Sequence, residues 1–275
     1  MSEQESNNEM SFWDHIDEFR GVAIRIVLCL LITTPIVFFL KDLVFDIILA
    51  PHESDFILYR LFCGISSSQL YSEVSEWTQL HCNFPLPGLC LEAIKVELIN
   101  TKLASQFMIH ISTSIYVSLM ITFPYIIYTL YGFVAPALYK RERRYSFLIL
   151  SAVFILFICG VMLNYFLIFP LSFRFLAAYQ VSEEIANMIS LSSYVNTLMS
   201  LSLMMGIVFE IPILTLALSK FGLVTRSMLK KFRKHAFVAV MVIAAIITPT
   251  GDIITLSLVT LPMYMLYEFS LRIIK

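Results

Sequence analysis

Leu198-Met-Ser-Leu-Ser-Leu-Met-Met-Gly-Ile-Val-Phe-Glu-Ile-Pro-Ile-Leu-Thr-Leu-Ala-Leu218 is a run of 21 residues with one ionisable side chain, Glu210. As a helix rising ~1.5 Å per residue it spans about 30 Å, the thickness of a bilayer's hydrocarbon core. The rest of the chain repeats the pattern. Apolar windows fall at roughly 22–40, 104–133, 147–169, 195–218, 236–248 and 253–274. The whole sequence is 59% hydrophobic and 14% charged, with a mean hydropathy of +0.82. A water-soluble domain cannot hide so much apolar surface. These windows predict an all-α, polytopic membrane bundle of about six transmembrane helices, a single integral membrane domain over 1–275. Pro124, Pro136, Pro170 and Pro262 lie in or beside spans and bend or end helices, which implies a concave bundle.

The fifth window is unusual. Thirteen residues before Pro249 make only about 20 Å of helix, and the turn Thr248-Pro-Thr-Gly-Asp252 joins it directly to the sixth. A short fifth/sixth helix hairpin of this kind thins the bilayer, tilts, or borders a wet cavity.

Orientation follows from Lys and Arg. Lys140, Arg141, Arg143 and Arg144 lie in 139–145, and Lys220, Arg226, Lys230, Lys231, Arg233 and Lys234 in 219–235. The intervening stretch 170–194 holds only Arg174. Both basic loops are therefore expected in the cytoplasm, together with both termini, and loop 41–103 on the far side. Met1 to Phe19 lacks the basic-then-apolar pattern of a signal peptide. Cys29 and Cys159 lie inside spans as small apolar residues. Cys63, Cys82 and Cys90 in the outer loop allow one disulfide with one thiol left over, and spacing does not choose the pair. No metal-ligand spacing, phosphate loop or hydrolase motif is present, so no cofactor, metal site or enzymatic chemistry is expected. A net charge of −1 gives no reason to expect nucleic acid.

Three carboxylates stand out. Ser11-Phe-Trp-Asp14 reads as a capping box, and Phe12, Ile16, Phe19 and Ala23 form one apolar stripe, predicting an amphipathic cytoplasmic helix over 11–21 that lies along the surface and runs into the first span. Glu18 is on its polar face, where the plain reading is solvation. Glu142 sits among four basic residues, which positive-inside topology explains; topology does not explain Glu142. Glu210 is harder to dismiss: near mid-membrane a carboxylate costs roughly 2.5–3.5 kcal/mol on insertion scales unless neutral or paired. Gly206, one turn earlier, lets a helix or water approach. Pro212 deprives the carbonyl of Val208 of its helical donor. The structural alternative is a hydrogen bond to a neighbouring helix. Asp252 is explained as a helix cap, and Glu268 can snorkel from the end of the sixth span.

In order along the chain, several motifs resemble the TatC family, the multispanning receptor of the twin-arginine protein translocase. Ser11-Phe-Trp-Asp-His-Ile-Asp-Glu-Phe-Arg20 is similar to its amino-terminal signature, and Ala50-Pro51 to the pair after its first span. Phe123-Pro124, Phe133-Val-Ala-Pro136 through Arg144, and Asn164 through Pro170 follow. Gly206 through Pro212, Ile247-Thr248-Pro249 and Leu261 through Glu268 complete the set. The resemblance covers nearly everything outside 55–101.

The resemblance implies that Glu18 and Glu142, with Arg20 and Arg144 beside them, receive the twin-arginine signal peptide of folded cargo proteins at the cytoplasmic face. It implies an intramembrane polar site at Glu210 and Thr248, and structural roles for Pro51, Pro124, Phe133, Pro136, Gly206, Pro212, Pro249 and Asp252. It further implies a bacterial inner (cytoplasmic) membrane location, small single-span TatA/TatB-like partner subunits, a homo-oligomer within the complex, and drive by the protonmotive force. Two departures stand out: Thr248-Pro-Thr-Gly-Asp252 is one residue longer than the usual Thr-Pro-Pro-Asp, and Leu256 stands where many relatives have glutamine. From the residues alone, the rival is a proton-coupled secondary transporter using Glu210 beside a broken helix. It predicts an internal repeat with a second interrupted span, and none is convincing.

Overall fold

The computed structural model describes residues 12–53, 56, 98–100, 102–134, 146–179, 188–220, 222, 224–248 and 251–274. The described chain is almost entirely helical. Its helices are α1 (Phe12–Phe39), α2 (Lys41–Leu49), α3 (Ser105–Val134), α4 (Ser146–Leu163), α5 (Phe169–Ala178), α6 (Leu191–Val208), α7 (Ile211–Lys220), α8 (Arg226–Lys231), α9 (Arg233–Ile247) and α10 (Ile253–Ile273). A 3₁₀ turn, Ala50–His52, follows α2, and a π turn, Asn164–Ile168, joins α4 to α5. Among the described residues, five stretches are long and apolar enough to cross a membrane: Ile16–Phe39, Ser105–Phe133, Ile149–Ala177, Leu191–Lys220 and Ile253–Ile273.

The fifth apolar window forms α9, which has 15 residues and is about 22 Å long. Only Val240, Ala244 and Thr248 are buried on it, one residue per turn, while Phe237, Val238, Val242 and Ile246 face outward. An apolar helix exposed on most of its circumference has lipid as its solvent. The expected hairpin is present: Phe237 meets Tyr264 edge-on at 5.3 Å, and Arg233 donates to Glu268 at 2.6 Å. Gly251 turns the chain with φ of 61°, a conformation open to glycine without steric cost.

Other elements refine the sequence expectations. The helix expected over 11–21 is continuous with the first span, since α1 runs unbroken from Phe12 to Phe39. Gly21 does not interrupt it, and the helix's one proline, Pro35, lies near the far end. The loop expected over 41–103 begins with α2 and ends in Leu98–Ile99, which pairs in parallel with Ile189–Ser190. The third span does not end at Pro170. The π turn shifts the bonding register, so that Phe169 donates to the carbonyl of Asn164 and the helix continues through the proline to Ala178. Such single-turn π bulges absorb an irregularity without breaking a helix.

Consecutive spans run antiparallel, as side-chain pairs show. Between α1 and α3, Phe19 meets Phe133, Thr33 shares hydrogen bonds with Ser118 and Thr122 at 2.7 and 3.2 Å, and His110 reaches the carbonyl of Phe38 at 3.0 Å. These hydroxyl contacts supply polar adhesion where hydrophobicity drives no association between helices. Between α4 and α6 the backbones themselves approach. A Cβ on Gly160 would lie 2.6 Å from the carbonyl oxygen of Met205, and one on Gly206 would lie 2.5 Å from the Phe157 ring. Phe157 is fully buried and stacks on Phe123 with ring centroids 3.7 Å apart.

That crossing gives a direct test. Gly206→Ala forces a methyl group into a ring already held by Phe123, an overpacking expected to cost about 1–3 kcal/mol. The thermal midpoint of the purified chain should fall by several degrees, and Phe157→Leu in the same chain should recover most of it. A Gly206→Ala protein as stable as the parent would show that α4 and α6 do not approach as closely as described.

Candidate functional site

The amino end of α1, the carboxyl end of α3, the start of α4, the end of α7, helix α8, the start of α9 and the end of α10 share one end of the bundle. Arg20, Lys220, Arg226, Lys230, Lys231, Arg233, Lys234 and Arg272 lie there, all exposed. The antiparallel order places them together even though they come from widely separated parts of the sequence. This is the basic end.

Glu18 is half-buried there, on the first turns of α1, with one carboxylate oxygen out of contact with solvent. Beside it, Phe19 packs edge-on against Phe133 with centroids 5.7 Å apart, which fixes the start of α1 against the last turn of α3. Arg20 is exposed. Pro136, Glu142 and Arg144 lie outside the described residues, as do Pro249 and the three cysteines of the outer loop. The chain leaves α3 after Val134 and re-enters α4 at Ser146. The end of α3 and the start of α4 thus lie at the bundle end where Glu18 stands, and Glu142 is four residues before Ser146 in the sequence.

Deeper in, Glu210 marks a break between α6 and α7. Its amide bonds to the carbonyl of Ile207 at 3.1 Å, and its carbonyl accepts from Leu214 at 2.9 Å. Pro212, buried in the first turn of α7, has no N–H to continue the ladder of α6. Both carboxylate oxygens of Glu210 are shielded from solvent and have no hydrogen-bond partner among the described residues. Lys220 ends α7 ten residues later, so Glu210 lies about 15 Å from the basic end, half the thickness of a hydrocarbon core. The approach that Gly206 permits is that of α4, through Phe157.

Thr248 is buried at the end of α9, and its hydroxyl donates to its own helix, to Ala244 at 3.0 Å. It makes no hydrogen bond to Glu210, whose carboxylate oxygens have no hydrogen-bond partner among the described residues. Asp252 caps α10, accepting from the amide of Thr255 at 2.7 Å. Pro51 is buried in the 3₁₀ turn after α2, where Tyr165 and Tyr194 donate to the carbonyls of Ile47 and Ile48. Pro124 lies within α3 without ending it.

Sequence reasoning passed over one buried polar pair. Asn164, wholly buried at the start of the π turn, donates to Ser202 at 2.8 Å, and its own oxygen has no partner among the described residues. An asparagine inside an apolar window next to proline was the available signal. No group of three or more His, Cys, Asp or Glu able to hold a metal occurs among the described residues.

Comparison with known proteins agrees with this arrangement. A family model described as Sec-independent protein translocase protein (TatC) matches residues 14–262. A protein of that name from Blattabacterium sp. subsp. Periplaneta americana is 37% identical over 267 residues, covering 97% of this chain and 95% of the relative. One from Deinococcus radiodurans is 34% identical over 63% of this chain and 64% of its own length. The fold is similar to a crystal structure of a twin arginine translocase receptor, TatC, in DDM, with a TM-score of 0.72 and 30% identity over 95% of this chain and 99% of that one.

The state of Glu210 predicts how its loss acts. A carboxylate that makes no structural hydrogen bond leaves nothing unpaired when removed, whereas breaking a buried hydrogen bond costs about 1–3 kcal/mol. Glu210→Leu should therefore leave the thermal midpoint of the purified chain unchanged or raise it. A fall of several degrees would mean that the carboxylate is held by a structural bond.

Proposed function

Because the chain belongs to the TatC family of Sec-independent protein translocase proteins, we propose that it binds the twin-arginine signal peptides of folded cargo as the receptor subunit of the translocase. The observation that carries this reading is the position of Glu18 at the basic end, where α3 ends and α4 begins, the two helices between which Glu142 falls in the sequence. Two carboxylates at one bundle end suit two arginines. A guanidinium presents a planar fork that pairs bidentately with a carboxylate, and lysine cannot reproduce that geometry.

By the positive-inside rule the basic end is cytoplasmic, in the inner membrane of a bacterium, with both termini on that side. Glu210 serves the next stage. An intramembrane carboxylate without a partner is a place where an inserted signal peptide, or one of the small single-span TatA/TatB-like subunits, gains a polar contact unavailable from lipid. Several copies of the chain assemble with those subunits, and the protonmotive force drives transport. The transporter reading has no observation of its own: the broken α6–α7 span has no counterpart in an internal repeat, and family membership accounts for Glu210 without one.

Each charge-assisted bond to an arginine is worth about 1.5–3 kcal/mol, so Glu18→Gln and Glu142→Gln should each weaken signal-peptide binding by about 10- to 100-fold while the chain stays folded and inserted. The measurement is photo-crosslinking from a probe near Glu142, in membranes containing the partner subunits. Arg-Arg peptides should crosslink and Lys-Lys peptides should not; equal crosslinking of both would remove the site assignment. Glu210→Ala should retain that first crosslink yet lose cargo export. A mutant that exports at the parent rate would take Glu210 out of the mechanism.

A further inference from the structure

At the end of the bundle opposite the basic one lies a cavity of about 240 Å³ between α5, α6 and the first turn of α10. Its walls are Phe169, Phe173, Leu176 and Tyr194, with Leu201 at its deepest point and Met188 and Ser193 at its exposed rim. No charged side chain lines it. Phe169 and Phe173 each meet Tyr194 edge-on at 5.1 Å, and the Tyr194 hydroxyl is already committed to the carbonyl of Ile48.

Two hydroxyls in the lining, those of Ser172 and Thr255, lack partners. Their residues are 4% and 1% exposed, and neither oxygen has a hydrogen-bond partner among the described residues. Among the described residues one other buried hydroxyl, that of Thr113 in α3, shares this state. Hydroxyls in the spans generally return to the carbonyl four residues back, as do Ser114, Thr129, Thr260 and Ser270. Thr255 cannot, because it sits in the first turn of α10, where no helical carbonyl precedes it. Ser172 is in the first turn of α5, four residues after the π turn ends at Ile168. Buried hydroxyls are almost always satisfied, so the cavity calls for an occupant that can hydrogen-bond.

We propose that this cavity holds the ester group and upper acyl chain of a membrane glycerolipid. The walls belong to helices that cross the bilayer, so acyl chains surround the site. Apolar walls set within the spanning helices suit an acyl chain drawn from the surrounding lipid. The order of the lining matches such a ligand. Antiparallel α5 and α6 put Ser172 near the level of Tyr194, and Thr255 is at the outer end of α10. The hydroxyls thus lie toward the membrane surface and apolar Leu201 lies deeper. An ester offers acceptors to both hydroxyls and carries no charge, in keeping with the uncharged walls. The site is distinct from the signal-peptide surface, and its test does not depend on transport.

The test is acyl-chain photolabelling of the whole chain in phosphatidylcholine nanodiscs, using a phosphatidylcholine with a diazirine in mid-chain and mapping adducts by peptide mass spectrometry. Label on 169–176 and 197–201 should exceed that on the lipid-facing positions Val27 and Ile32 of α1 several-fold. Thr197→Phe, which fills the cavity, should remove the excess. Ser172→Ala combined with Thr255→Val, which leaves the packing in place, should reduce it several-fold. Label no stronger than on α1, or an excess unaltered in the hydroxyl-free variant, would overturn the proposal and leave the cavity to water.

Discussion

The crossing of α4 and α6 at Gly160 and Gly206 is the contact from which the rest of the described bundle is arranged. In lipid, no hydrophobic force brings helices together, so adhesion depends on backbone approach and on polar contacts between them. Glycine on both helices lets the Met205 carbonyl and the Phe157 ring fill the space that side chains would otherwise hold. Phe157, pinned in that gap, carries the contact to α3 by stacking on Phe123. One turn toward the far end, the same interface aligns Asn164 with Ser202. One turn the other way, α6 breaks at Glu210.

Breaks in helices are expensive in hydrocarbon, because each frees a backbone polar group. This chain confines its breaks to places where something else meets the need. At Pro170 a π turn re-registers the bonds. At Pro212 the break is a single short step, closed by the Glu210 amide on Ile207 and the Leu214 amide on Glu210. The carboxylate at that step has no hydrogen-bond partner among the described residues, in contrast to Glu268, which has Arg233 and Tyr264. A group that costs stability and gains no internal contact is better explained by what binds it than by what it holds together.

The two candidate regions therefore differ in kind. The basic end is an electrostatic surface assembled by topology, with Glu18 fixed by the Phe19–Phe133 contact. Glu210 is a local irregularity inside one span. A helical segment that pairs its arginines at the first and inserts past the second would meet both in sequence, since about 15 Å of helix separates Glu210 from Lys220.

Much of this was legible in the residues. Hydropathy alone required membrane helices, the Lys and Arg counts required two basic loops on one side, and the spacing of Gly206, Glu210 and Pro212 marked the broken span, because each is a local property of the chain. The same locality explains where sequence reading stopped. Nothing near Segment 11–21 says whether it turns along the surface or continues α1, since that depends on Phe19 finding Phe133 more than a hundred residues away. Pro170 reads as a helix end, and only the packing of Asn164 against Ser202 accompanies its conversion into a π turn. Thr248 and Glu210 look alike as intramembrane polar residues, yet the Thr248 hydroxyl bonds to its own helix at Ala244 while the Glu210 carboxylate has no hydrogen-bond partner among the described residues. Composition and periodicity determined that the chain spans a membrane. Contacts between distant segments decided which polar groups meet and which are left facing an occupant, because in lipid those contacts, rather than exclusion from water, hold the helices together.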